Sequence, residues 1–411
     1  MINLLYHITL FLAKRFLGFL SIFNSKQKKW INGQKGLLTN IQNTLNSSDQ
    51  IIWIHAASLG EYEQARPLIT QLQEQVPEYK ILLTIFSPSG YEQAVKHKST
   101  NYLFYLPLDT KKNVRQFIQI VNPTLAIFVK YEFWRNYCFE LRDRNIPLLS
   151  ISTRIHKGQP FFKWYSKPFV EVLKCFTYFF TQDAQSADLL MRLSFLNVTY
   201  AGDTRYDRVI ELAKYKKEIP QVKTFKGEER LLVLGSSWKE DIEVFLAFFK
   251  NIPKGWKVII APHEVENNAV ENLQKQLPIK SGRWTLNEFN EPILILDTIG
   301  LLASLYQYAD LAYIGGAFKT GLHNIFEPAT YGVPMIFGPN YQKFSEAYDM
   351  LDAEAGFTIS SSEELKSLLQ KLMTNTTYRE ETGKRAAYLI QQNKGATSLI
   401  MDHCLSYLNG R

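Results

Sequence analysis

Residues 51–67, IIWIHAASLGEYEQARP, decide the fold class of this chain. The apolar run 51–54 predicts a buried strand, the segment Ser58-Leu59-Gly60 predicts a turn, and a helical pattern begins at Glu61. A strand, a turn and a helix in this order place Glu61 at the carboxyl edge of a sheet, where open α/β folds bind their ligands. A carboxylate in a first helical turn also stabilises the helix by facing the positive end of its dipole. This stretch therefore leaves two interpretations of Glu61.

The alternation of strand and helix continues along the chain. Strands that alternate with helices predict parallel sheets with right-handed crossovers, so we predict an α/β protein of two Rossmann-like domains facing a central cleft. The predicted strands are 51–56, 81–86, 102–106, 125–129, 147–151 and 178–181 in the first half, and 231–234, 257–260, 293–296, 311–314, 334–337 and a short strand near 357 in the second.

Length and composition predict the domain boundaries. A chain of 411 residues is longer than one hydrophobic core usually supports. Residues 214–230 are polar and charged and contain Pro220 and Gly227, which indicates a linker. We predict a membrane-associated helix at 1–30, a first domain at 31–215, a linker at 216–230, a second domain at 231–385, and a helix at 386–411 that packs back on the first domain.

The amino-terminal segment, 4–23, is apolar enough to suggest a membrane span, but Lys14 and Arg15 lie at its centre. Two adjacent cations in the middle of a bilayer are costly. Polar residues fall on one stripe of this helix, which is typical of an amphipathic helix lying in the membrane interface, with Lys26 and its neighbouring lysines facing anionic headgroups. The alternative is a soluble helix packed on the first domain.

Charge and cysteine content restrict the function classes. The net charge of +8 and the pI near 9.0 favour anionic partners such as a membrane surface, a phosphorylated substrate or a nucleotide. The basic residues are scattered rather than clustered with aromatic residues, which argues against nucleic acid. The sequence has three widely spaced cysteines and neither zinc nor calcium motifs, so we predict no disulfide framework, no metal and a reducing compartment. P-loop and G-x-S-x-G motifs are also absent from the sequence.

The segment 312–346 concentrates the residue types that bind nucleotides. The fourth strand of the second domain ends at Gly315-Gly316, a polar loop follows, and a helix begins near Glu327. Glycines allow a ligand to approach the backbone, helix N–H groups bind phosphate, and a carboxylate there could accept hydrogen bonds from a ribose diol. The alternative is an ordinary turn and helix start. The candidate residues of this loop are Lys319, His323 and Asn324.

Three other strand ends carry polar residues. In the second domain, Ser236-Ser237 and Pro262-His263 follow strands and could hold a base and a phosphate. In the first domain, Glu132 follows the fourth strand and shares a sheet edge with Glu61. Two carboxylates there could divide the labour of taking a proton and of fixing a hydroxyl group. A surface glutamate and a capping histidine are the alternatives.

Taken together, these motifs resemble one family. The segments HAASLGE at 55–61, YLPLD at 105–109, YEFW at 131–134, GDTRYD at 202–207 and the whole 312–346 block resemble, in order, the 3-deoxy-D-manno-octulosonic acid (Kdo) transferases of lipopolysaccharide synthesis, glycosyltransferase family 30. The resemblance covers nearly the full chain. It implies a GT-B fold, with the acceptor bound by the first domain and the donor nucleotide by the second.

The resemblance also implies the reaction and the roles of residues. Kdo would pass from CMP-Kdo to a lipid A precursor with inversion, without metal or cofactor, at the cytoplasmic face of a bacterial inner membrane. Glu61 falls on the family's general base and Glu132 on its second acidic residue. Acceptor contacts are assigned to Ser58, Gly60 and Arg154, and donor contacts to Ser236, Ser237, Pro262, His263, Gly315, Gly316, Lys319, His323, Asn324 and Glu327. The chain departs from the family's usual residues at Ser237-Trp238, 261–262 and Leu322.

Two rival interpretations remain. The first is another GT-B enzyme, such as a nucleotide-sugar epimerase, which needs no membrane helix. The second is a non-catalytic membrane-surface protein that keeps a nucleotide-binding fold, which the presence of both Glu61 and Glu327 argues against.

Overall fold

The computed structural model describes residues 24–214, 218–319 and 321–408, together with Tyr6, Thr9, Leu10, Leu12, Arg15 and Phe16. The chain forms two compact units, one of Met1–Arg208 with Lys394–Arg411 and one of Val209–Asn393. Most of the predicted membrane-associated helix, 1–30, lies outside the described residues. Within the described part, no helix is long and apolar enough to cross a membrane.

The first unit is built on a parallel sheet with the strand order β3-β2-β1-β4-β5-β6-β7 among the described residues. Its strands are β1 (Gln50–Ala56), β2 (Tyr79–Ile85), β3 (Tyr102–Tyr105), β4 (Leu125–Val129), β5 (Leu148–Thr153), β6 (Tyr178–Thr181) and β7 (Val198–Tyr200). The helices are α1 (Ser25–Gln34), α2 (Leu37–Thr44), α3 (Leu59–Gln75), α4 (Pro88–His97), α5 (Lys111–Val121), α6 (Arg135–Asp143), α7 (Lys167–Leu173), α8 (Ala184–Arg192) and α9 (Thr204–Lys214), with a 3₁₀ turn at Pro160–Phe162.

The second unit repeats this architecture, and its parallel sheet has the order β10-β11-β9-β8-β12-β13-β14 within the described ranges. The strands are β8 (Arg230–Ser237), β9 (Trp256–Pro262), β10 (Ser281–Arg283), β11 (Ile293–Ile295), β12 (Leu311–Ile314), β13 (Met335–Phe337) and β14 (Gly356–Thr358). The helices are α10 (Pro220–Lys226), α11 (Lys239–Phe249), α12 (Asn267–Gln276), α13 (Leu302–Leu305), α14 (Phe326–Thr330), α15 (Ser345–Asp352), α16 (Ser362–Thr374) and α17 (Thr376–Gln392), with a 3₁₀ turn at Tyr306–Tyr308; α18 (Ala396–Leu408) follows in the first unit.

Both faces of β1 are covered, which explains why its sequence is almost continuously apolar. On one face, the fully buried Trp53 packs edge-on against Phe117 and Phe128, with ring centroids 4.9 and 5.0 Å apart. On the other face, Ile52 and Ile54 belong to a core that α3 and α18 complete. The terminal helix is therefore part of the first hydrophobic core.

The strand order fixes where ligands can bind. In the first sheet the order reverses between β1 and β4, and in the second between β8 and β12. Loops at such switch points diverge to opposite faces of the sheet and leave a crevice at the carboxyl ends of the strands. Glu61 and Glu132 follow β1 and β4, Ser236 is the penultimate residue of β8, and Gly315-Gly316 directly follow β12. Both sets of candidate residues therefore lie at a switch point.

Three features differ from the sequence-based expectation. The edge strands β7 and β10, of three residues each, were not predicted, because short strands that pair on one side leave little periodic signal. The segment 216–230, predicted as linker, contains α10, and its Val222 and Phe225 are buried. The chain rejoins the first unit at Lys394, whereas we predicted residue 386.

Candidate functional site

The main chain at the end of β1 holds the Glu61 carboxylate in place. Ser58 caps α3, and its hydroxyl accepts a hydrogen bond from the Glu61 N–H at 3.4 Å. The Glu61 Oε2 atom accepts hydrogen bonds from the N–H groups of Ala57 at 2.6 Å and Ser58 at 3.2 Å. This capping box fixes the side chain at the sheet edge and satisfies N–H groups that the helix leaves free.

The surroundings of Glu61 make it a stronger base than an ordinary glutamate. Glu61 is 8% exposed. Burial, together with the nearby charge of Glu132, raises the pKa of its carboxyl group to about 7. His55, the Ala57 N–H and Lys130 act in the opposite direction and lower this pKa. A carboxylate with a pKa near the working pH is suited to accept a proton in general base catalysis.

Glu132 forms a cluster with His55 and Trp134. The Trp134 indole N–H donates to Glu132 Oε2 at 2.5 Å, and His55 Nε2 lies 3.3 Å from the same oxygen. His55 Nδ1 lies 3.0 Å from the carbonyl oxygen of Thr84. Because a carbonyl oxygen only accepts, Nδ1 carries a proton, and Nε2 is left to face the carboxylate. When Nε2 is also protonated, His55 and Glu132 form a buried ion pair beside Glu61.

The remaining first-unit candidates, Gly60 and Arg154, follow β1 and β5 at the carboxyl edge of the same sheet. Gly60 is exposed in the first turn of α3, and no atom lies within 4 Å of the place where a Cβ would stand. Arg154 follows β5, and its Nε is 3.3 Å from Asp183 Oδ2 in a half-exposed ion pair. Lys130 has a φ of 69°, and burial followed by the charge of Arg205 lowers the pKa of its amino group. Of these residues, Lys130 acts on Glu61 through its charge, which lowers the pKa of the Glu61 carboxyl group.

In the second unit, two adjacent glycines allow β8 and β12 to approach closely. A Cβ on Gly315 would stand 2.4 Å from the Ser236 carbonyl oxygen, and Gly316 has a φ of 92°. Ser236 itself has a φ of 53°, a left-handed conformation that non-glycine residues seldom adopt outside functional or strained positions. The fully buried Asp241 accepts hydrogen bonds from the N–H groups of Gly316 at 2.9 Å and Trp238 at 2.8 Å.

An aromatic stack lines one side of this site. Trp238 stacks on His263 with ring centroids 4.1 Å apart, and its indole N–H donates to His323 Nε2 at 3.2 Å. Lys319 Nζ lies 4.4 Å from the Trp238 ring centroid and 3.3 Å from Glu240 Oε1. Burial, followed by the charge of His263, lowers the pKa of the His323 imidazole. A cavity of about 470 Å³ adjoins the stack and is bordered by Ser237, Pro262 and Lys319.

A smaller cavity of about 280 Å³ is lined in part by His323. Ser236, Asn324 and Glu327 line it, and the Asn324 amide donates to Glu327 Oε1 at 3.0 Å. This hydrogen bond aligns a carboxylate and an amide at one wall, an arrangement that can bind vicinal hydroxyl groups. The helix that begins here, α14, has only five residues, so its dipole is short.

The structure thus groups the sequence-based candidates by unit. Glu61, Glu132, Ser58 and Gly60 lie on one sheet edge, and the donor candidates lie around two cavities of the second unit. The sequence alone assigned no role to His55, Trp134, Trp238 or Asp241. A histidine inside an apolar strand is typical of a core residue, so the sequence of β1 indicated no function for His55. Among the described residues, no group of three or more histidine, cysteine, aspartate or glutamate side chains could hold a metal ion.

Comparison with known proteins places this geometry in context. Residues 29–208 match the family described as 3-deoxy-D-manno-octulosonic-acid transferase (kdotransferase). The chain is 27% identical to the 3-deoxy-D-manno-octulosonic acid transferase of Haemophilus influenzae, over 96% of this chain and 95% of the relative. It is 28% identical to the enzyme of the same name from Aquifex aeolicus, over 80% of this chain and 88% of the relative.

Solved structures confirm the predicted fold of two Rossmann-like α/β domains of the GT-B type. The UDP-GlcNAc 2-epimerase of Neisseria meningitidis, solved bound to UDP-GlcNAc, is similar with a TM-score of 0.62. The match covers 87% of this chain and all of that one at 13% identity. At this identity the likeness concerns the fold alone, whereas the sequence relatives confirm the resemblance to Kdo transferases.

Proposed function

We propose that this homologue of the Kdo transferases is a glycosyltransferase that moves Kdo from CMP-Kdo to a lipid A precursor, lipid IVA, with inversion at the anomeric carbon. The observation that carries the proposal is the Glu61 carboxylate, which is buried at the switch point of the first sheet with a pKa raised to about 7 by burial. The transfer would take place on the anionic cytoplasmic surface of the inner membrane.

The chemistry needs one base and one site for an anionic leaving group. The acceptor hydroxyl oxygen attacks the anomeric carbon of Kdo, and the bond from that carbon to the phosphate oxygen of CMP breaks. The hydroxyl proton passes to Glu61, and CMP leaves with the electron pair of the broken bond. Removing the proton as the new bond forms avoids a positively charged oxygen, which is the advantage of general base catalysis.

Glu132 and His55 act on Glu61 in opposite directions. The negative charge of Glu132 raises the pKa of Glu61, and the positive charge of His55 lowers it. We assign His55 the part of a positioning residue, because its imidazole contacts Glu132, Trp134 and Thr84. The pair would hold the pKa of Glu61 close to the working pH.

Donor binding is assigned to the second unit. Glu327 would accept hydrogen bonds from the ribose hydroxyls, the Asn324 amide would donate one to them, and the crowded backbone at Gly315-Gly316 would face the phosphate. The Trp238–His263 stack offers a flat surface next to Lys319, a cation suited to the carboxylate of Kdo or to the phosphate. The donor residues thus belong to the second unit, and the proposed base belongs to the first.

The pH dependence of transfer follows from the pKa of Glu61. Since only the ionised carboxylate accepts a proton, kcat/KM should rise with pH through about 7, the value to which burial raises the Glu61 pKa. The Glu132→Gln variant removes the charge that raises this pKa, so the rise should move to lower pH. The His55→Asn variant removes the charge that lowers it, so the rise should move to higher pH. Each shift is read from kcat/KM measured between pH 5 and 9.

Opposite displacements cannot result from a general loss of stability, which would lower the rate at every pH. Circular dichroism across the same pH range provides the folding control. If the pH profiles of both variants shift in the same direction, or do not shift, Glu132 and His55 do not set the pKa of Glu61.

Gly60 tests the approach of the acceptor. A Cβ at this position meets no protein atom, and alanine favours a helix over glycine by about 1 kcal/mol, so Gly60→Ala should leave the melting temperature unchanged or slightly higher. If the acceptor lies against this turn, the added methyl group should raise the acceptor KM about tenfold, the effect of a moderate steric conflict. Steady-state kinetics at saturating CMP-Kdo measures it. An unchanged acceptor KM would place the acceptor elsewhere.

One assay distinguishes the proposed reaction from that of the fold neighbours. The purified protein is incubated with CMP-Kdo or with UDP-GlcNAc, each with and without lipid IVA in detergent micelles. We expect CMP release that depends on the lipid acceptor, and no epimerisation of UDP-GlcNAc. Epimerised UDP-GlcNAc without lipid-dependent CMP release would favour the epimerase alternative.

A further inference from the structure

An exposed aromatic cluster lies after β5, in the segment 156–169, which we call the aromatic loop. Trp164 is 97% exposed, Tyr165 42% and Phe169 36%. Their rings form one chain, with centroids 5.4 Å apart between Trp164 and Tyr165 and 6.1 Å between Tyr165 and Phe169. Large aromatic side chains are normally withdrawn from water, so a contiguous exposed group of them indicates a contact surface.

Within the aromatic loop itself, all charged residues are basic. Between Asp143 and Glu171 the sequence contains no acidic residue. Lys157, Lys163 and Lys167 all lie within the loop and are exposed. Aromatic rings surrounded by lysines are typical of surfaces that rest in the headgroup region of an anionic bilayer, where the ring meets the acyl boundary and the cations meet phosphate.

The aromatic loop is fixed to the segment that carries Glu132. Phe161, which is buried, packs edge-on against Phe133 with centroids 5.4 Å apart. The Arg135 guanidinium donates a hydrogen bond to the Pro168 carbonyl oxygen at 3.0 Å. These two contacts, one before and one after Trp164 and Tyr165, tie the loop to Phe133 and Arg135, which lie one and three residues after Glu132. The exposed rings project from a fixed base rather than from a free tail.

We propose that the aromatic loop is a membrane-contact surface, which places Trp164, Tyr165 and Phe169 in the interface of an anionic lipid bilayer. A protein partner would usually offer acidic or apolar side chains of defined shape, whereas this surface combines three lysines with exposed aromatic rings. The inference deepens the proposed function, on which it rests for its purpose. A lipid acceptor keeps its acyl chains in the bilayer, so a bilayer contact next to Glu132 would bring the acceptor hydroxyl to the carboxyl edge of the first sheet.

Tryptophan fluorescence tests this surface through the difference between the wild type and Trp164→Phe. Trp164 is almost fully exposed, whereas Trp30, Trp53 and Trp256 are at most 5% exposed and Trp134, Trp238 and Trp284 are partly buried. The protein of residues 1–411 is mixed with phosphatidylethanolamine–phosphatidylglycerol vesicles whose acyl chains are brominated either close to the headgroup or near the chain end. We expect quenching that is strongest with shallow bromines, and its loss in Trp164→Phe, while Leu196→Ala, a change at another highly exposed residue of the first unit, retains it.

The lysines are tested by cosedimentation. Replacing Lys157, Lys163 and Lys167 by glutamine should weaken binding to the anionic vesicles about 10²-fold, because each cation near such a surface contributes to partitioning, and should leave binding to phosphatidylcholine vesicles unchanged. Identical quenching of the wild type and Trp164→Phe, or no binding to vesicles at all, would overturn the proposal. Loss of Kdo transfer with quenching intact would count against the proposed function only, whereas transfer with an unquenched Trp164 would count against this surface only.

Discussion

The Glu61→Gln variant is expected to transfer Kdo ~10²–10⁴-fold more slowly than the wild type, the range by which a positioned general base accelerates proton transfer. Glutamine has almost the same shape as glutamate, and its amide oxygen can still accept the hydrogen bonds from Ala57 and Ser58. It cannot take a proton from the acceptor hydroxyl. The loss should therefore appear in kcat, measured in single-turnover reactions with both substrates saturating, while the affinity for CMP-Kdo remains unchanged.

The stability of Glu61→Gln separates chemistry from folding. The pKa of Glu61 is raised to about 7 by burial, from an ordinary 4.5, so the folded state binds the proton more tightly than the unfolded chain. Between these two values, rising pH lowers the free energy of unfolding, and above pH 7 the ionised carboxylate destabilises the fold. A neutral glutamine avoids this effect, so the variant should melt no lower than the wild type at pH 8.

Glu74, exposed on the same helix, provides the matched control. Glu74→Gln should transfer Kdo at the wild-type rate. Full turnover by Glu61→Gln would remove Glu61 from the role of base.

The Glu327→Ala variant is expected to bind CMP about 10–10²-fold more weakly. Glu327 and Asn324 line the same small cavity, and the hydrogen bond between them aligns the carboxylate for ribose hydroxyls. Hydrogen bonds to a charged group contribute about 1.5–3 kcal/mol each, which corresponds to this change in affinity. Isothermal titration calorimetry with CMP measures the dissociation constant directly and does not require the acceptor.

The control is Glu271→Ala, at an exposed position of α12 in the same unit. It removes a glutamate of equal charge without touching the cavity, so it should bind CMP as the wild type does. Unaltered CMP affinity in Glu327→Ala would contradict the assignment of the donor ribose to this cavity, whatever the result for Glu61.

The two-unit α/β fold follows from the sequence because the central strands are buried on both faces. The runs at 51–56, 125–129 and 231–234 are almost wholly apolar, and the structure places them in the middle of the sheets. The edge strands β7 and β10 did not emerge, since a three-residue strand paired on one side leaves no periodic pattern. The helix α10 was not predicted either, because its buried residues, Val222 and Phe225, lie among lysines, a composition typical of a linker.

The part of the candidate site that depends on the backbone alone could be predicted from the sequence. Residues that end neighbouring strands must share a sheet edge, which brought Glu61 and Glu132 together from sequence alone. Contacts between side chains depend on rotamers that no spacing reveals. His55 is fully buried inside β1 and would serve equally well as a core residue, so its approach to Glu132 emerges only from the structure. The same holds for Asp241, which holds the N–H groups of Trp238 and Gly316.

The proposed attachment of Kdo to a lipid A precursor is measured by mass spectrometry of lipid IVA after incubation with CMP-Kdo and the protein of residues 1–411, with Glu61→Gln in parallel. We predict that the lipid gains the mass of one or more Kdo residues with the wild type and remains unchanged with the variant. A lipid of unchanged mass after incubation with folded wild-type protein that binds CMP would contradict the account.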